Sequence, residues 1–482
     1  MRKKFAFNLI MLLAANLLVK PFWIFGIDRV VQNRLGPEAY GTYFAVFNYT
    51  FIFSILLDFG INNFNTRAVS RNNRRMGEYL LNLLFLKFVL GLLYFAFTFL
   101  TAQGAGFSPQ QLQMLLFLAV NQILLSAILY FRSNIAALQL FNADRIISVL
   151  DRLLTIVFCL VLMYGAAFKN SFTIMWFIYA QTAALLITAI IAFALVAGKT
   201  VLQWQLWKVR YSRMILLKSA PFALLTLLMG IYYRIDGVML ERMLNDKGLE
   251  AGIYAAAFRL LDAVNQFGYL FATLLLPLFA SMIRRNESVK QLVRFSSELM
   301  FAGSVAIGVS CYFYRAEIMN LLYHRNDAYW STIFGWLMLN FIPMSSVYIF
   351  GTLLTAKGSL KALNWIAILG VVVNVALNLY LIPHYGALGA AWATFVTQLF
   401  AAAAHIYVAQ RQFPLEYDLS DVLKVGGFCV ITVVVLLGLT YSPLHWTINL
   451  SIALASSGIA ALALRIVPVS QVMELVRRRS VD

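Results

Sequence analysis

Charged side chains are scarce in this sequence. They make up 12% of its 482 residues, and only 20 residues are acidic. Apolar residues make up 62%, and the mean hydropathy is +0.79. A soluble globule of this size needs more polar surface than the chain can supply. The scarcity of charge therefore excludes a soluble protein and indicates a polytopic membrane protein.

Cysteine and histidine are also rare. The three cysteines, Cys159, Cys311 and Cys429, lie in separate apolar stretches, and the four histidines are scattered along the chain. Neither residue type shows the spacing of metal ligands, and isolated cysteines in apolar segments are usually structural. We therefore expect no redox role for the thiols, no metal site and no cofactor.

Long apolar runs dominate the chain instead. A helix needs about 20 mainly apolar residues to cross a hydrocarbon layer about 30 Å thick. The sequence contains fourteen such runs, with approximate limits 7–31, 40–65, 79–101, 112–137, 146–167, 172–197, 215–242, 251–280, 295–314, 330–355, 362–382, 387–409, 422–441 and 446–466. These runs predict an all-α polytopic membrane protein with about fourteen transmembrane helices.

The formal charge of +18 reflects 38 Lys and Arg against 20 Asp and Glu. When the amino terminus is placed in the cytoplasm, most basic residues fall at cytoplasmic ends of the spans, for example Arg71, Arg213 and Arg285, as the positive-inside rule requires. The charge is therefore a topology signal and not a sign of nucleic acid binding. We predict an even number of spans, both termini in the cytoplasm and no nucleic acid partner.

Two parts of the chain resemble each other. IDRV at 27–30 corresponds to IDGV at 235–238, the Gly-x-Tyr at 41–43 corresponds to that at 252–254, and Arg34 and Arg242 keep the same offset. Duplicated halves are typical of transporters that rock around a central site. We predict two pseudo-symmetric six-helix lobes around a central cavity. The predicted boundaries are an N-terminal lobe at 1–200, a cytoplasmic linker at 201–213, a C-terminal lobe at 214–410, and two additional helices with a basic cytoplasmic tail at 411–482.

Polar residues recur at helical spacing inside two of the predicted spans. A polar group at bilayer depth must pair, reach an interface or line a wet path. On the second span they are Thr50, Ser54, Asp58, Asn62 and Asn65. On the eighth span they are Arg259, Asp262, Gln266, Tyr269 and Thr273. Each residue alone is compatible with a structural ion pair or a cation that reaches the interface, but recurrence in corresponding helices of both halves favours a shared, water-accessible path.

Residues 34–41, RLGPEAYG, followed by LDFG at 57–60 and Arg67, resemble the opening of the bacterial polysaccharide flippase family of the multidrug/oligosaccharidyl-lipid/polysaccharide exporter superfamily. IDGVML at 235–240 with GIYAAAFR at 252–259, and YGALGAAWAT at 385–394, agree with this family. The resemblance extends over the whole chain. The arginine- and asparagine-rich opening of the related lipid II flippases is not found here.

The resemblance implies a flippase of the bacterial inner membrane. Its substrate would be an undecaprenyl-diphosphate-linked oligosaccharide, moved from the cytoplasmic to the outer leaflet by alternating access for O-antigen of lipopolysaccharide, capsule or exopolysaccharide. Its partners would be this substrate, membrane lipids and, as candidates, a polysaccharide polymerase and a chain-length regulator.

An anionic diphosphate and a hydroxyl-rich sugar need cations and hydrogen-bonding groups in the wall of the cavity. The residues that we expect to bind the substrate are Lys20, Lys87, Arg132, Arg234, Arg259, Asn62, Asn65 and Gln266. The residues that we expect to pair with these cations or to bind a coupling ion are Asp58, Asp236 and Asp262. We expect no catalytic residue.

Two other classes of protein fit parts of this pattern. A cation-coupled multidrug antiporter shares the fold, but it normally has twelve spans and a cavity richer in acidic residues, whereas the intramembrane balance here is basic. A membrane glycan polymerase or glycosyltransferase generally needs a sizeable extramembrane catalytic loop. The longest predicted outer loop, about 315–329, offers only Glu317, His324 and Asp327 as acid-base groups. We therefore expect a transporter and not an enzyme.

Overall fold

The computed structural model describes residue 19 and residues 21–62, 65, 76–165, 171–199, 209–415 and 419–466. Within these ranges every regular element is a helix. Lys20 and Arg67 lie outside the described residues. The prediction of an all-α protein is confirmed.

The described chain contains fifteen α-helices. They are α1 (Arg29–Leu35), α2 (Pro37–Ile52), α3 (Met76–Gly104), α4 (Pro109–Ala137), α5 (Phe141–Tyr164), α6 (Ile174–Ala197), α7 (Val209–Met243), α8 (Leu249–Arg284), α9 (Lys290–Phe313), α10 (Arg315–Leu322), α11 (Ala328–Leu339), α12 (Phe341–Lys357), α13 (Leu360–Gln412), α14 (Leu419–Thr440) and α15 (Trp446–Ala463). A π-helical turn, Trp23–Asp28, precedes α1, and a 3₁₀-helical turn, Phe53–Leu57, follows α2.

Twelve helical segments of the described chain are long and apolar enough to cross a membrane. One of them, α13, has 53 residues and contains two predicted spans, 362–382 and 387–409. At about 1.5 Å per residue it is far longer than a bilayer core is thick, and Gly386, with φ 57° and ψ −135°, interrupts it between the two spans. The first predicted span lies mostly outside the described residues and continues into α1. The prediction of about fourteen transmembrane helices is confirmed.

The chain divides into two compact units, residues 1–255 and 256–482. In the first unit, α2 packs along α4 and α7, and α6 packs against α4 and α5. In the second unit, α9 packs against α11 and α12, and α12 packs against α13. Helix α7 thus packs within the first unit, although the duplication assigns it to the second half. The predicted boundaries at 200, 213 and 410 follow the duplication and stay a prediction.

The C-terminal pair, α14 and α15, packs against α9 in the second unit. Phe428 and Ala461 are buried against Ala302 of α9. At the start of α14, Asp421 forms an ion pair with Arg294 of α9. Since a buried apolar contact and an ion pair join the same helices, the pair is an integrated part of its unit.

Candidate functional site

The second predicted span is broken in the middle of its polar row. Helix α2 gives way to the 3₁₀-helical turn Phe53–Leu57, and Phe59 and Gly60 have φ values of 42° and 78°. The expectation of one continuous polar face from Thr50 to Asn65 is therefore wrong. The 3.6-residue period on which it depended does not extend through a 3₁₀ turn and two left-handed residues.

Lys87 of α3 binds the polar groups that this break exposes. Its Nζ atom donates to the Leu57 carbonyl oxygen at 3.0 Å, to Ser126 Oγ at 2.9 Å and to Asp58 Oδ1 at 3.1 Å. A backbone carbonyl freed inside a membrane needs a partner, and a cation is favourable at a helix C-terminus. The Lys87 side chain is 7% exposed, so it does not reach the interface. Its contacts give it a structural role at the break.

Two predicted amides lie close to this cluster. The Asp58 carboxylate also accepts a hydrogen bond from the Asn62 backbone amide at 3.3 Å. Asn65 is fully buried, and its Nδ2 atom donates to Ser133 Oγ of α4 at 2.8 Å. The structure thus brings Asp58, Asn62 and Lys87 into one cluster and places Asn65 against α4.

Arg132 lies near the end of α4, opposite the start of α5. Its Nε and Nη2 atoms donate to the two carboxylate oxygens of Asp144 at 2.7 and 3.3 Å. The side chains are 24% and 16% exposed. This bidentate pair fixes the plane of the guanidinium and uses two of its five N–H donors.

Arg234 of α7 lies over two aromatic rings of the first unit. Its Cζ atom is 5.2 Å from the centroid of Phe51 and 5.0 Å from that of Tyr233. Cations are attracted to aromatic faces at such distances. The contact with Phe51 connects α7 to α2, just before the break.

Each half of the duplication contains a buried aspartate that accepts a hydrogen bond from a tyrosine. Tyr40 Oη donates to Asp28 Oδ2 at 2.6 Å, and Tyr254 Oη donates to Asp236 Oδ2 at 2.8 Å. Both aspartates are at most 2% exposed. The sequence correspondence matches Tyr254 with Tyr43, whereas Tyr40 makes the bond in the first half. The tyrosine–aspartate hydrogen bond therefore recurs in both halves, but the tyrosines that form it occupy different positions in the repeated motif.

We expect Tyr40→Phe and Tyr254→Phe each to lower the free energy of unfolding by about 1 to 2 kcal/mol, because each removes a donor from a buried carboxylate. Thermal unfolding of the purified chain measures this loss. Tyr441→Phe is the matched control, since Tyr441 is 88% exposed. Equal unfolding temperatures for all three variants would show that the hydroxyl groups do not stabilise the aspartates.

Glycines near the starts of α2 and α8 lie against each other within the first unit. A Cβ atom on Gly41 would overlap the Gly248 carbonyl oxygen and lie 2.9 Å from Gly252 Cα. A Cβ atom on Gly252 would lie 2.6 Å from the Pro37 carbonyl carbon. Gln32 Nε2 donates to the Gly252 carbonyl oxygen at 2.9 Å. We call this contact the glycine crossing; the predicted topology places it at the outer ends of the helices.

The two arginines of the duplication contact the ends of neighbouring helices. Arg34 Nη1 donates to the Met163 carbonyl oxygen at 2.6 Å, near the end of α5. Arg242 Nη1 donates to the Gly106 carbonyl oxygen at 3.1 Å, just beyond α3. A cation is favourable at a helix C-terminus, so these arginines stabilise the predicted outer side of the first unit.

The remaining predicted residues lie on α8 in the second unit. Arg259 Nη1 is 3.7 Å from Asp262 Oδ2, and both side chains are 14% exposed. Gln266 is half-buried one turn further on. Of the candidate residues that the structure describes, only Lys87, Asp58 and Asn62 share a cluster in the first unit. Asn65, Arg132, Arg234 and Asp236 each contact other partners there, and Arg259, Asp262 and Gln266 lie on α8 in the second unit. Among the described residues, no three His, Cys, Asp or Glu side chains are arranged to hold a metal ion.

Several contacts of these residues were not predicted from the sequence. Asp144 could have been found as the first carboxylate that follows Arg132 across a short turn, and Tyr40 lies equally close to Asp28, 12 residues away. Ser126 and Gln32 carry no such signal, because their partners Lys87 and Gly252 are 39 and 220 residues away.

Comparison with known proteins identifies the family. The profile described as "Polysaccharide biosynthesis protein" matches residues 6–283, which is more than half of the chain. The chain belongs to this polysaccharide biosynthesis protein family.

Two relatives of this chain are the lipid III flippases of Escherichia coli (strain K12) and Shigella flexneri. Each is 23% identical to it over 198 residues, which is 40% of this chain and 47% of the relative. The chain thus spans about half the length of the curated relatives that it matches.

Solved structures establish the fold of this chain. The lipid II flippase MurJ in an inward closed conformation matches with a TM-score of 0.69 and 14% identity, over 96% of this chain and 98% of that chain. An inward-facing multidrug resistance MATE transporter matches with a TM-score of 0.62 and 14% identity, over 83% and 94%. A Pyrococcus furiosus transporter of the MOP superfamily matches at 0.59 and 15% identity, over 84% and 94%. The chain is a multi-pass membrane protein with the fold that these transporters share.

Proposed function

We propose that this chain is a flippase. It moves undecaprenyl-diphosphate-linked oligosaccharides from the cytoplasmic to the outer leaflet of the bacterial inner membrane, by alternating access, for a surface polysaccharide such as O-antigen or capsule. The observation that carries the proposal is the likeness to the lipid II flippase over 96% of this chain. The family match and the lipid III flippase relatives support it.

The substrate combines a head that cannot cross hydrocarbon unaided with a polyprenyl tail that never leaves it. A cavity wall with cations and amides accepts the head, while a lateral opening leaves the tail in lipid. The proposal assigns the diphosphate to the cations Lys20, Lys87, Arg132, Arg234 and Arg259. It assigns the sugar hydroxyls to Asn62, Asn65 and Gln266.

The contacts of these cations suggest different roles. Arg132 has three N–H donors outside its pair with Asp144, and Arg259 lies 3.7 Å from Asp262. Lys87 uses three donors on Leu57, Asp58 and Ser126, so it acts on a phosphate through its charge and not through a hydrogen bond.

The aspartates are proposed to hold the cations or to bind a coupling ion. Asp58 lies 3.1 Å from Lys87, and Asp262 lies 3.7 Å from Arg259. Asp236 instead accepts from Tyr254. An inside-negative potential favours outward movement of a negative head by about 2.3 kcal/mol per charge per 100 mV, so the potential itself contributes to the driving force.

The proposal also covers orientation and partners. Both termini lie in the cytoplasm, because the basic residues then fall mainly on the cytoplasmic side. A polysaccharide polymerase and a chain-length regulator use the exported units. The chain itself makes or breaks no glycosidic bond.

A cation-coupled multidrug antiporter is the second candidate, because the MATE transporter has the same fold. Its likeness covers 83% of this chain, against 96% for the lipid II flippase. Protection of cells from growth inhibition by cationic dyes on expression of this chain would favour the antiporter.

Charge reversal of Arg259 tests the flippase. In proteoliposomes that contain an undecaprenyl-diphosphate oligosaccharide, we expect Arg259→Glu to lower the flipping rate at least about tenfold, because it replaces attraction to the diphosphate by repulsion in a site of low dielectric. Arg284→Glu is the matched control, since Arg284 is exposed at the end of the same helix. Complementation of a flippase-null strain provides the second measurement.

Arg132→Glu is expected to have the same effect, but it also places two carboxylates together. Arg132→Glu/Asp144→Arg restores the pair, and we expect it to restore the amount of protein but not transport. If Arg259→Glu and Arg132→Glu both retain transport, the proposed cationic site does not exist.

A further inference from the structure

A basic and aromatic pocket lies where α12 and α13 meet in the second unit. The cavity has a volume of about 410 Å³, and residues 358–362, Trp365 and Gln412 line it. Lys361 lies in its wall, and Lys357 and Arg411 flank it in sequence. The pocket contains none of the residues assigned to the flippase site.

Side-chain contacts hold the walls of this pocket in place. Ser359 Oγ donates to Gln412 Oε1 at 2.5 Å, and Lys357 Nζ donates to the Gln412 carbonyl oxygen at 3.2 Å. Lys357 Nζ also lies 4.7 Å from the centroid of Phe413. The turn before α13 is thereby fixed to the end of the same helix, so the pocket is a built part of the fold.

Among the described residues, no ion pair compensates the charge around the pocket. The chain contains no acidic residue between Asp327 and Glu416. Among the ion pairs of the described chain, none includes Lys357, Lys361 or Arg411. Three positive charges therefore accumulate at one end of two membrane helices, whereas Lys87, Arg132 and Arg259 each lie beside a carboxylate.

Aromatic side chains place the pocket at the level of lipid headgroups. Trp365 and Tyr407 are each 57% exposed, and Arg411 Cζ lies 5.4 Å from the centroid of Tyr407. Tryptophan and tyrosine are enriched at membrane–water interfaces, and clusters of basic residues there attract anionic lipids. A soluble anion would need the cations but not the exposed rings.

We propose that this pocket binds the headgroup of an anionic glycerophospholipid. Lys361 contacts the phosphate, Arg411 attracts it from beside the pocket, and Trp365 lies against the glycerol region. The predicted topology places the pocket on the cytoplasmic side, where the lipid joins the turn between α12 and α13 to the membrane surface. The site goes beyond the flippase function and does not depend on it.

Lipid binding to the full chain tests the site. The purified protein in neutral detergent is titrated with phosphatidylglycerol and, separately, with phosphatidylcholine, and bound lipid is counted by native mass spectrometry. Each basic residue near an anionic surface contributes about a fivefold factor to binding. We therefore expect Lys361→Gln/Arg411→Gln to weaken phosphatidylglycerol binding about twentyfold. The control Arg284→Gln/Arg285→Gln removes two exposed charges elsewhere and is expected to bind like the wild type.

Quenching of Trp365 by brominated phosphatidylglycerol locates the bound lipid. The part of the quenching that belongs to Trp365 is the part that Trp365→Phe lacks. We expect this part to be absent also from Lys361→Gln/Arg411→Gln, because that variant binds the lipid weakly. Equal binding of the two phospholipids, or equal loss in both double variants, would overturn the proposal. Displacement of phosphatidylglycerol by a lower concentration of undecaprenyl diphosphate would also overturn it, since the pocket would then receive the transported lipid. These measurements need no transport, so they can fail or succeed independently of the flippase proposal.

Discussion

A reducible thiol crosslink between residues 42 and 247 is expected to abolish transport, and its reduction is expected to restore it. Thr42 lies next to Gly41 on α2, and its Oγ1 atom is 3.5 Å from the Lys247 carbonyl oxygen at the start of α8. The glycine crossing joins α2 to the start of α8 at their predicted outer ends. The proposed alternating access requires this crossing to open when the head leaves. Thr42→Cys/Lys247→Cys with a short bifunctional methanethiosulfonate therefore keeps the crossing closed.

The controls separate a closed crossing from chemical damage. The crosslink is made in a chain whose three cysteines are replaced by alanine. Glu38→Cys/Thr42→Cys is the matched control. Its two cysteines lie one turn apart on α2, so the same reagent crosslinks them without joining two helices. We expect the control to flip lipid-linked oligosaccharide at the rate of its unmodified form. Unchanged transport after complete crosslinking of 42 to 247 would show that the crossing does not open during the cycle.

Replacement of Lys87 by methionine is expected to destabilise the chain by about 3 kcal/mol. The change removes the cation that binds the Leu57 carbonyl and the Asp58 carboxylate at the break after α2. A carboxylate left without its cation in a membrane interior is costly. Thermal unfolding of the purified chain measures the loss, and the amount of protein in membranes should fall with it.

A double variant and a surface control identify the cause of this loss. Lys87→Met/Asp58→Asn is expected to regain part of the stability, because it leaves no unpaired carboxylate. Lys361→Met is expected to unfold like the wild type, since Lys361 is exposed and forms no ion pair with another described residue. If Lys87→Met unfolds at the wild-type temperature but does not transport, Lys87 acts on the substrate and not on the break.

The helices could be predicted well from the sequence because the bilayer sets their length. Hydropathy alone placed thirteen of the fourteen predicted spans on described helices, and it separated the two spans that α13 joins across Gly386. Turn residues between long apolar runs are a local signal. The break at Phe53–Leu57 was not visible, because the apolar run continues through it.

The candidate site could be predicted only in part. Charged residues inside apolar runs were easy to find, and the spacing of Arg259 and Asp262 already indicated a pair on one helix face. The partners of Lys87 lie 29 and 39 residues away, on other elements. No periodicity connects such residues, because each helix can be rotated about its axis until packing fixes which faces meet.

The sequence by itself determined that this chain crosses the membrane many times and which family it resembles, and it predicted that the two halves are related. Length, hydropathy and short motifs are properties of neighbouring residues, so they can be read along the chain. Only the tertiary structure decided that Lys87 binds the broken second helix, that Asp28 and Asp236 each meet a tyrosine, and that Gly41 lies against Gly252. These contacts join residues on different helical elements, and the close packing of helix against helix selects them.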